Sequence, residues 1–407
     1  MENNFSAKVS NSKKKTQKRI PQRVDGVESK SKIKNSAIQL FSTRSFSDVS
    51  VSQITKLANL STGAFYQYYI NKDELFREIT EEFFAELEAN LRGDTLKDVG
   101  LKFLNFSFER SDFVKIVHLN EYSFEWLRNE YENILRKVSR EFGLTHVGHF
   151  YFWSPLKFIV AFFDLLEVDI DYEHFITLIL DGAIAQCEEK IPESVFDFTP
   201  LRHVLEDDEK REQILASAES LFGLYGYEKT LVYDIAKASG IAVGTFYLYF
   251  KNKIQVLREL VRWISKGLRY NVKLAVEKFS FHNRIIQEIA GLYAFLKFFK
   301  VHSNMYKIVR ESQSVDRNIA KEYYNSIYEP YTNSLKKAVA QGQLVLKKTY
   351  NTEEEISYVV LLLMSFGHYA GEKYLLTGHI NGEKDEQIQS FLLELYEYIC
   401  RGLEVSR

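Results

Sequence analysis

An internal repeat restricts the possible folds of this chain more than any other feature. A shift of 181 residues aligns 32–79 with 213–260 without a gap, and 16 of the 48 aligned pairs are identical. The identities include Ala37 with Ala218, Leu40 with Leu221, Ile54 with Ile235, Gly63 with Gly244, Tyr66 with Tyr247, and Asn71 with Asn252. Such a match over an unbroken segment indicates a duplicated structural unit.

The duplication extends beyond this segment, and the two copies differ in length. Residues 115–117 match 307–309 at a shift of 192, and 181–183 resemble 401–403 at a shift of 220. The difference between the first and last shifts, 220 − 181, makes the first copy 39 residues shorter. We therefore predict a basic flexible tail (1–29), a first small domain (30–88), a short helical domain (89–198), a linker (199–209), a second small domain (210–268) and a longer helical domain (269–407).

The apolar spacing predicts an all-α fold of two tandem units. A chain of 407 residues exceeds what one hydrophobic core usually serves. It has only five prolines, and its long Leu-, Phe- and Lys-containing stretches show apolar residues every three or four positions. No apolar run approaches the length of a membrane helix, and Cys187 and Cys400 lie in apolar stretches without metal-ligand spacing. We expect a cytoplasmic protein with reduced cysteines.

Each copy contains the pattern of a helix-turn-helix. In the first copy, Ser50 and Gln53 stand three apart before an apolar run, which predicts a capping box and a helix that starts at Val51. The position after that helix is Asn59 in one copy and Gly240 in the other, which predicts a left-handed turn. The next helix is predicted over 62–69 and 243–250. An α-helix of this kind fits the major groove of DNA.

The second helix of each copy resembles the recognition helix of TetR/AcrR-type repressors. The resemblance rests on Gly63-Ala64-Phe65-Tyr66-Gln67-Tyr68-Tyr69 with Asn71-Lys72, and on Gly244-Thr245-Phe246-Tyr247-Leu248-Tyr249-Phe250 with Asn252-Lys253. It covers about 50 to 60 residues of each half. The resemblance implies a first helix over 32–44, a fourth helix from about Asn71, and helical bodies that bind an effector and dimerise.

The resemblance also implies DNA-binding residues. Its phosphate-contacting positions fall on Ser50, Tyr66, Tyr68 and Lys72 in the first copy and on Thr245, Tyr247, Tyr249 and Lys253 in the second. Its base-reading positions fall on Ser52, Thr62 and Gln67, and on Tyr233, Val243 and Leu248, with Gly63 and Gly244 allowing close approach. Gln can read adenine bidentately, whereas Val and Leu offer only apolar contact to thymine. Ala64 stands where the family has a hydroxyl residue.

The function that these patterns predict is ligand-responsive repression through double-stranded DNA. The aromatic residues after position 280 predict an effector pocket for a small hydrophobic molecule, with walls from Tyr293, Phe298, Tyr306 and Tyr324. No catalytic triad order, phosphate-binding glycine loop or zinc spacing occurs, so we expect no enzyme, no cofactor and no metal. The alternative is a helical interaction or scaffold protein in which one or both heads no longer read DNA.

The tandem arrangement leaves two assemblies open. The last helix pair of each copy is predicted at 154–167 with 171–189 and at 352–376 with 384–402. If the two pairs pack on each other, the chain is an intramolecular pseudo-dimer that reads an asymmetric site. If the longer pair instead joins two chains, the protein is a homodimer with four heads.

Overall fold

The structure is a computed structural model, and helices make up nearly all of its regular secondary structure. It describes residues 24–121, 123–166, 168–185, 187, 190–201, 209–347, 352–376 and 385–403. The α-helices in this part of the chain are α1 Val24–Phe41, α2 Val51–Leu57, α3 Thr62–Tyr68, α4 Lys72–Asn90, α5 Leu96–Glu109, α6 Ser111–Asn120, α7 Glu125–Glu141, α8 His146–Leu166, α9 Tyr172–Asp181, α10 Glu209–Tyr225, α11 Val232–Ala238, α12 Val243–Tyr249, α13 Lys253–Glu277, α14 Arg284–Val301, α15 Ser303–Val315, α16 Arg317–Ala340, α17 Thr352–Gly371 and α18 Asp385–Arg401. Short 3-10 turns occur at Phe46–Asp48 and Glu193–Phe196, and one π-helical turn at Glu372–Leu376 follows α17. None of the helices described is long and apolar enough to cross a membrane.

The first compact unit, Met1–Glu81, holds α1 to α3 and the start of α4 in its described part, and we call this helical domain head one. Its core is apolar, with Ile33, Phe41, Ile54 and Phe65 fully buried. Helix α1 ends at Phe41, three residues before the predicted end, although the amide of Arg44 still donates to the carbonyl of Leu40 at 3.0 Å.

The second unit, Glu82–Arg407, contains everything else. We call α5–α9 body one, α10–α12 with the start of α13 head two, and α13–α18 body two. Helix α13 belongs to both head two and body two, since its 25 residues begin at Lys253 and run into the body. Its buried stripe, which includes Val256, Leu260, Ile264 and Leu268, packs along α14 and α16.

The two bodies pack directly on each other, and we call their contact the seam. Helix α8 of body one lies against α16, α17 and α18 of body two. Tyr151 stacks on Phe366 with ring centroids 5.5 Å apart, and Phe150 meets Phe391 edge to face at 4.9 Å. The seam therefore buries aromatic side chains from both copies, as a protein core does.

Two equivalent glycines close the far end of the seam. Gly182 and Gly402 both have positive φ, at 82° and 78°, and each approaches the backbone of the other's segment. A Cβ on Gly402 would lie 2.1 Å from the carbonyl oxygen of Leu180, so no larger residue fits there. The amide of Leu403 donates to the same carbonyl at 2.9 Å.

The two cysteines are paired, which corrects the expectation that they are reduced. Cys187 lies outside any helix and forms a disulfide with Cys400, with Cα atoms 5.7 Å apart. The pairing arises because α9 ends at Asp181, eight residues before the predicted 189, and the following turn lies beside α18.

Two of the predicted segments cannot be compared with the fold. Most of the basic tail, at 1–23, and most of the linker, at 202–208, fall outside the described residues.

Candidate nucleic-acid interface

Head one forms the helix-turn-helix that its sequence predicts. Ser50 caps α2 in a complete capping box: its hydroxyl accepts from the amide of Gln53, and the Gln53 side chain accepts from the amide of Ser50. Helix α2 begins at Val51, which confirms the predicted start. Asn59 then adopts φ 56°, confirming the left-handed turn, and Gly240 does the same at 67° in head two.

Helix α3 separates a buried face from an exposed one. Phe65 is fully buried and Tyr69, just after the helix, is nearly so, which anchors the helix to the core. Thr62, Gly63, Tyr66 and Gln67 are exposed, as is Ser52 on α2, while Tyr68 is half-buried. The predicted base-reading residues therefore share one accessible surface.

Head two repeats this geometry with different exposed chemistry. Phe246 and Phe250 are fully buried, whereas Gly244, Tyr247 and Leu248 are exposed and Thr245 and Tyr249 are half-buried. The positions on α11 and α12 that match polar residues of head one carry apolar or aromatic side chains. They are Leu231, Tyr233, Ala242, Val243 and Leu248, and all five are exposed.

The glycine at the start of each second helix is not required by packing within the protein. A Cβ on Gly244 would meet nothing within 4 Å, and one on Gly63 would meet only the Ser61 hydroxyl at 3.8 Å. Both glycines have ordinary negative φ, since neither is among the positive-φ residues. Space left open by an exposed glycine allows the backbone of the helix to approach a partner closely.

The lysines predicted to contact phosphate also have a structural role. The ammonium of Lys72 donates to the carbonyls of Phe46 at 2.5 Å and Val49 at 2.6 Å. Lys253 makes the matching bonds to Tyr227 at 2.7 Å and Thr230 at 2.9 Å.

Each lysine also lies over an aromatic ring of the loop that it holds. The distance from the ammonium to the ring centroid is 3.9 Å for Lys72 on Phe46 and 4.0 Å for Lys253 on Tyr227. Partial burial lowers the pKa of both lysines. The two residues therefore act as clamps on the loop before each helix-turn-helix, and one of the three N–H groups of each ammonium remains for the predicted phosphate contact.

Body two contains a cavity of about 420 Å³, lined by residues of α13 to α18. Its wall is mainly apolar, from residues such as Val272, Leu292 and Phe295, with Tyr306 and Tyr324 among the aromatic residues. Tyr293 and Phe298 do not reach it. Tyr293 packs on Phe196 and Phe298 on His302, so these two predicted wall residues belong to the surrounding core.

A buried ionic cluster at one end of the cavity was not predicted from sequence. Arg310 is 2.7 Å from Glu372 and 3.7 Å from Glu121 of body one. His368 lies 2.8 Å from Glu372, and burial lowers the pKa of His368 to about 4, so it is neutral at pH 7. Its Nδ1 is 3.2 Å from the hydroxyl of Tyr324, which can donate to it. Arg310 and His368 are 58 residues apart in sequence, and only the packing of α15 on α17 brings them together.

Comparison with known proteins agrees with this geometry. The family model for bacterial regulatory proteins of the tetR family matches twice, at 33–79 and 214–260. The HTH-type transcriptional regulator YhgD of Bacillus subtilis is 25% identical over 135 residues, which is 33% of this chain and 69% of that protein. The fatty acid metabolism regulator protein of the same organism is 43% identical over 53 residues, 13% of this chain and 27% of that protein.

Solved structures of the same family are also similar. A TetR-family transcriptional regulator from Syntrophomonas wolfei has 19% identity and a TM-score of 0.39, and the match covers 46% of this chain and 93% of that one. The ketosteroid transcriptional regulator KstR2 of Mycobacterium tuberculosis has 18% identity and a TM-score of 0.36, covering 51% and 100%.

The chain carries two copies of the DNA-binding domain of the TetR family, at 33–79 and at 214–260. It is a DNA-binding transcriptional regulator.

Proposed function

We propose that this regulator is a single-chain pseudo-dimer whose affinity for DNA is controlled by a small hydrophobic molecule in the cavity of body two. No reaction is catalysed in this scheme. The observation that carries it is the position of α15. One face of this helix supplies Tyr306, Val309 and Arg310 to the cavity, and the opposite face packs on α10 of head two.

A specific contact links α15 to the reading helices. The carboxylate of Glu311 accepts from the amide of Tyr227 at 2.8 Å. Tyr227 lies in the loop that Lys253 clamps, and this loop leads into α11. A ligand that displaces α15 therefore displaces the base of the helix-turn-helix, which changes DNA affinity if the ligand prefers one position of α15.

The pseudo-dimer is supported by reciprocal contacts between equivalent residues of the two copies. At the shift of 192, His118 corresponds to Arg310, and Glu121 corresponds to Gln313. His118 contacts Gln313 at 2.8 Å, and Arg310 contacts Glu121 at 3.7 Å. Position i of one copy thus meets position j of the other, and j meets i, which is the mark of a two-fold interface. Here both halves of that interface lie in one chain.

Because the seam already covers α8 with α17 and α18, we propose that the protein is monomeric in solution. Light scattering should give a mass near the 47.6 kDa of one chain. A mass near twice this value together with a palindromic footprint would contradict the pseudo-dimer and favour the homodimer with four heads.

The ligand response is tested by filling the cavity. Gly367 lines it, and a Cβ there has its nearest neighbour, a methyl group of Leu292, at 3.8 Å, so Gly367→Leu should occupy the space without a backbone clash. A hydrophobic compound that lowers wild-type DNA affinity should have no effect on this variant. Phe298→Leu, which changes a buried residue outside the cavity, is the control and should still respond. A response that survives Gly367→Leu but is lost on changing Phe103 or Trp126 would place the pocket in body one.

The scaffold alternative makes a different prediction. It expects no salt-dependent binding to any DNA sequence, whereas a regulator that neutralises phosphates loses affinity as salt rises. An unbiased selection from random DNA with the purified chain separates the two.

A further inference from the structure

Head two differs from head one at five exposed positions, and at each of them its side chain is less polar or aromatic. The matched pairs are Ser50 with Leu231, Ser52 with Tyr233, Ser61 with Ala242, Thr62 with Val243, and Gln67 with Leu248. Four of the five changes remove every hydrogen-bonding atom from the side chain, and the fifth replaces a small hydroxyl residue by an aromatic one. We call these five residues of head two the apolar face.

The apolar face does not result from loss of the helix-turn-helix structure, because head two keeps the turn, the buried core and the lysine clamp of head one. Gly240 keeps its positive φ, Phe246 stays fully buried, and Lys253 clamps its loop as Lys72 does. The exposed side chains are large, with Leu248 83% and Leu231 60% exposed. Leu231, Tyr233 and Leu248 are each more than half exposed, so a partner that covers them would gain the stabilisation of removing them from water.

The match of head two to a DNA-binding domain indicates that this partner is DNA, and exposed lysines flank the apolar face. Lys229, Lys237 and Lys251 are exposed near it, on the loops and helices that flank α11 and α12. The matching residues of head one are Asp48, Lys56 and Ile70, so head two has two more lysines at these places, while its acidic Glu228 and Asp234 stand where head one has Ser47 and Gln53. A rim of lysines around an apolar centre fits a polyanion whose groove presents methyl groups.

We propose that head two selects its half-site through thymine methyl groups, which Leu248 and Val243 contact in the major groove. Thymine is the one base of DNA that carries a methyl group there, at C5. Head one, with Gln67 and Thr62 at the same positions, reads its half-site by hydrogen bonds. The operator therefore joins two half-sites of different chemistry. This inference rests on the proposed pseudo-dimer, in which both heads bind one site.

Reciprocal variants assign the half-sites. DNA is selected from a random library with the wild type, with Leu248→Gln and with Gln67→Leu. Leu248→Gln should change the preferred bases in one half of the site, and Gln67→Leu should change those in the other half. Val243→Thr, which keeps the shape of the side chain, serves as a second variant of head two if Leu248→Gln does not fold.

Uracil substitution then tests the methyl contact itself, since uracil is thymine without the C5 methyl. Replacing thymine by uracil in the head-two half-site should weaken binding about fourfold for each contacted methyl, from about 0.8 kcal/mol per buried carbon. Leu248→Gln should bind equally well with uracil at the thymine that Leu248 contacts, and should still lose affinity with uracil at a thymine that Val243 contacts. Uracil in the half-site of head one, at matched positions, is the control and should have little effect.

Three outcomes would overturn the inference. If the selected DNA binds equally well with uracil in both halves, the methyl contact is contradicted, but the proposed function as a DNA-binding regulator still stands. A selection unchanged by both Leu248→Gln and Val243→Thr shows that head two reads no bases. Failure of the wild type to select any DNA overturns the proposed function as well.

Discussion

Head one and head two hold their loops with the same lysine and present different side chains to solvent. The clamp of Lys72 on Phe46 and Val49 recurs, residue for residue, as the clamp of Lys253 on Tyr227 and Thr230. The exposed Gln67 is matched by Leu248. Duplication has therefore preserved the residues that build the helix-turn-helix, and the residues free to change are those that face a partner.

The bodies differ in another way. Body one carries His118 where body two carries Arg310, and the arginine is the centre of a buried cluster next to a cavity. In body one, large side chains such as Trp153, Phe103 and Phe152 are fully buried and pack on one another. Body two thus combines an apolar cavity with charged groups, and the following predictions test whether this asymmetry has the consequences that the geometry suggests.

The largest effect is expected at the matched pair Arg310 and His118. Arg310→Met leaves the carboxylates of Glu372 and Glu121 buried without their cation, which should lower the free energy of unfolding by about 3 to 5 kcal/mol. His118→Leu removes mainly one hydrogen bond to Gln313 and should cost about 1 kcal/mol. Urea unfolding of both variants at pH 7 measures the difference. Equal losses of unfolding free energy in the two variants would contradict the idea that Arg310 is an ionic centre and its equivalent His118 is not.

A pH dependence specific to body two comes next. Burial lowers the pKa of His368 to about 4, whereas histidine in the unfolded chain has a pKa of about 6.5. Between these values the unfolded chain binds a proton that the folded protein does not, so stability falls as the pH falls. The free energy of unfolding should drop by about 3 kcal/mol from pH 7 to pH 4 on account of this residue.

The control for this prediction is His368→Gln, which cannot titrate. Urea unfolding of the two proteins at several pH values should show the wild type losing stability more steeply than the variant. Parallel curves would mean that the pKa of His368 is the same in the folded and unfolded states, which would contradict the lowered value.

Much of the fold and part of the site follow from sequence, because local rules govern them. The capping box of Ser50 and the left-handed turn at Asn59 depend on neighbouring residues alone, and both predictions are confirmed. The clamp role of Lys72 was not predicted, since its partners at Phe46 and Val49 are more than twenty residues away. Nothing local marks carbonyl oxygens that a distant lysine will bind.

The ionic cluster and the disulfide were missed for the same reason. Arg310 meets Glu121 across 189 positions of sequence (310 − 121), and Cys187 meets Cys400 across 213. One signal does exist in the sequence: the shift of 192 pairs His118 with Arg310, and equivalent positions meet near a two-fold axis. The repeat therefore carries enough information to indicate where the two bodies meet.

A smaller effect distinguishes the two reading surfaces. Gln67→Ala should lose about 1 to 3 kcal/mol of binding free energy on the preferred site and relax the preference at one base pair, because a bidentate contact is removed. Leu248→Ala should lose less than this, since it shortens an apolar contact without leaving a polar group unpaired. Titration of each variant against the selected site and its single-base changes measures both. A loss at Gln67 that is equal on every sequence would contradict base reading by head one.

The smallest effect separates a clamp from a phosphate contact. Lys72→Met should destabilise head one by about 1 to 2 kcal/mol through loss of two charge-assisted hydrogen bonds, and Lys253→Met should do the same to head two. Neither change should alter the slope of log affinity against log salt, because the ammonium groups are engaged with backbone carbonyls in the free protein. Lys56→Met is the matched control, as Lys56 is an exposed lysine of the same head, and its loss should lower the slope by about one unit if it contacts phosphate. A slope that falls for Lys72→Met, in protein shown by circular dichroism to be folded, would mean that Lys72 contacts phosphate as well as clamping its loop. The same comparison at Lys253 would show whether the two heads use their clamps alike.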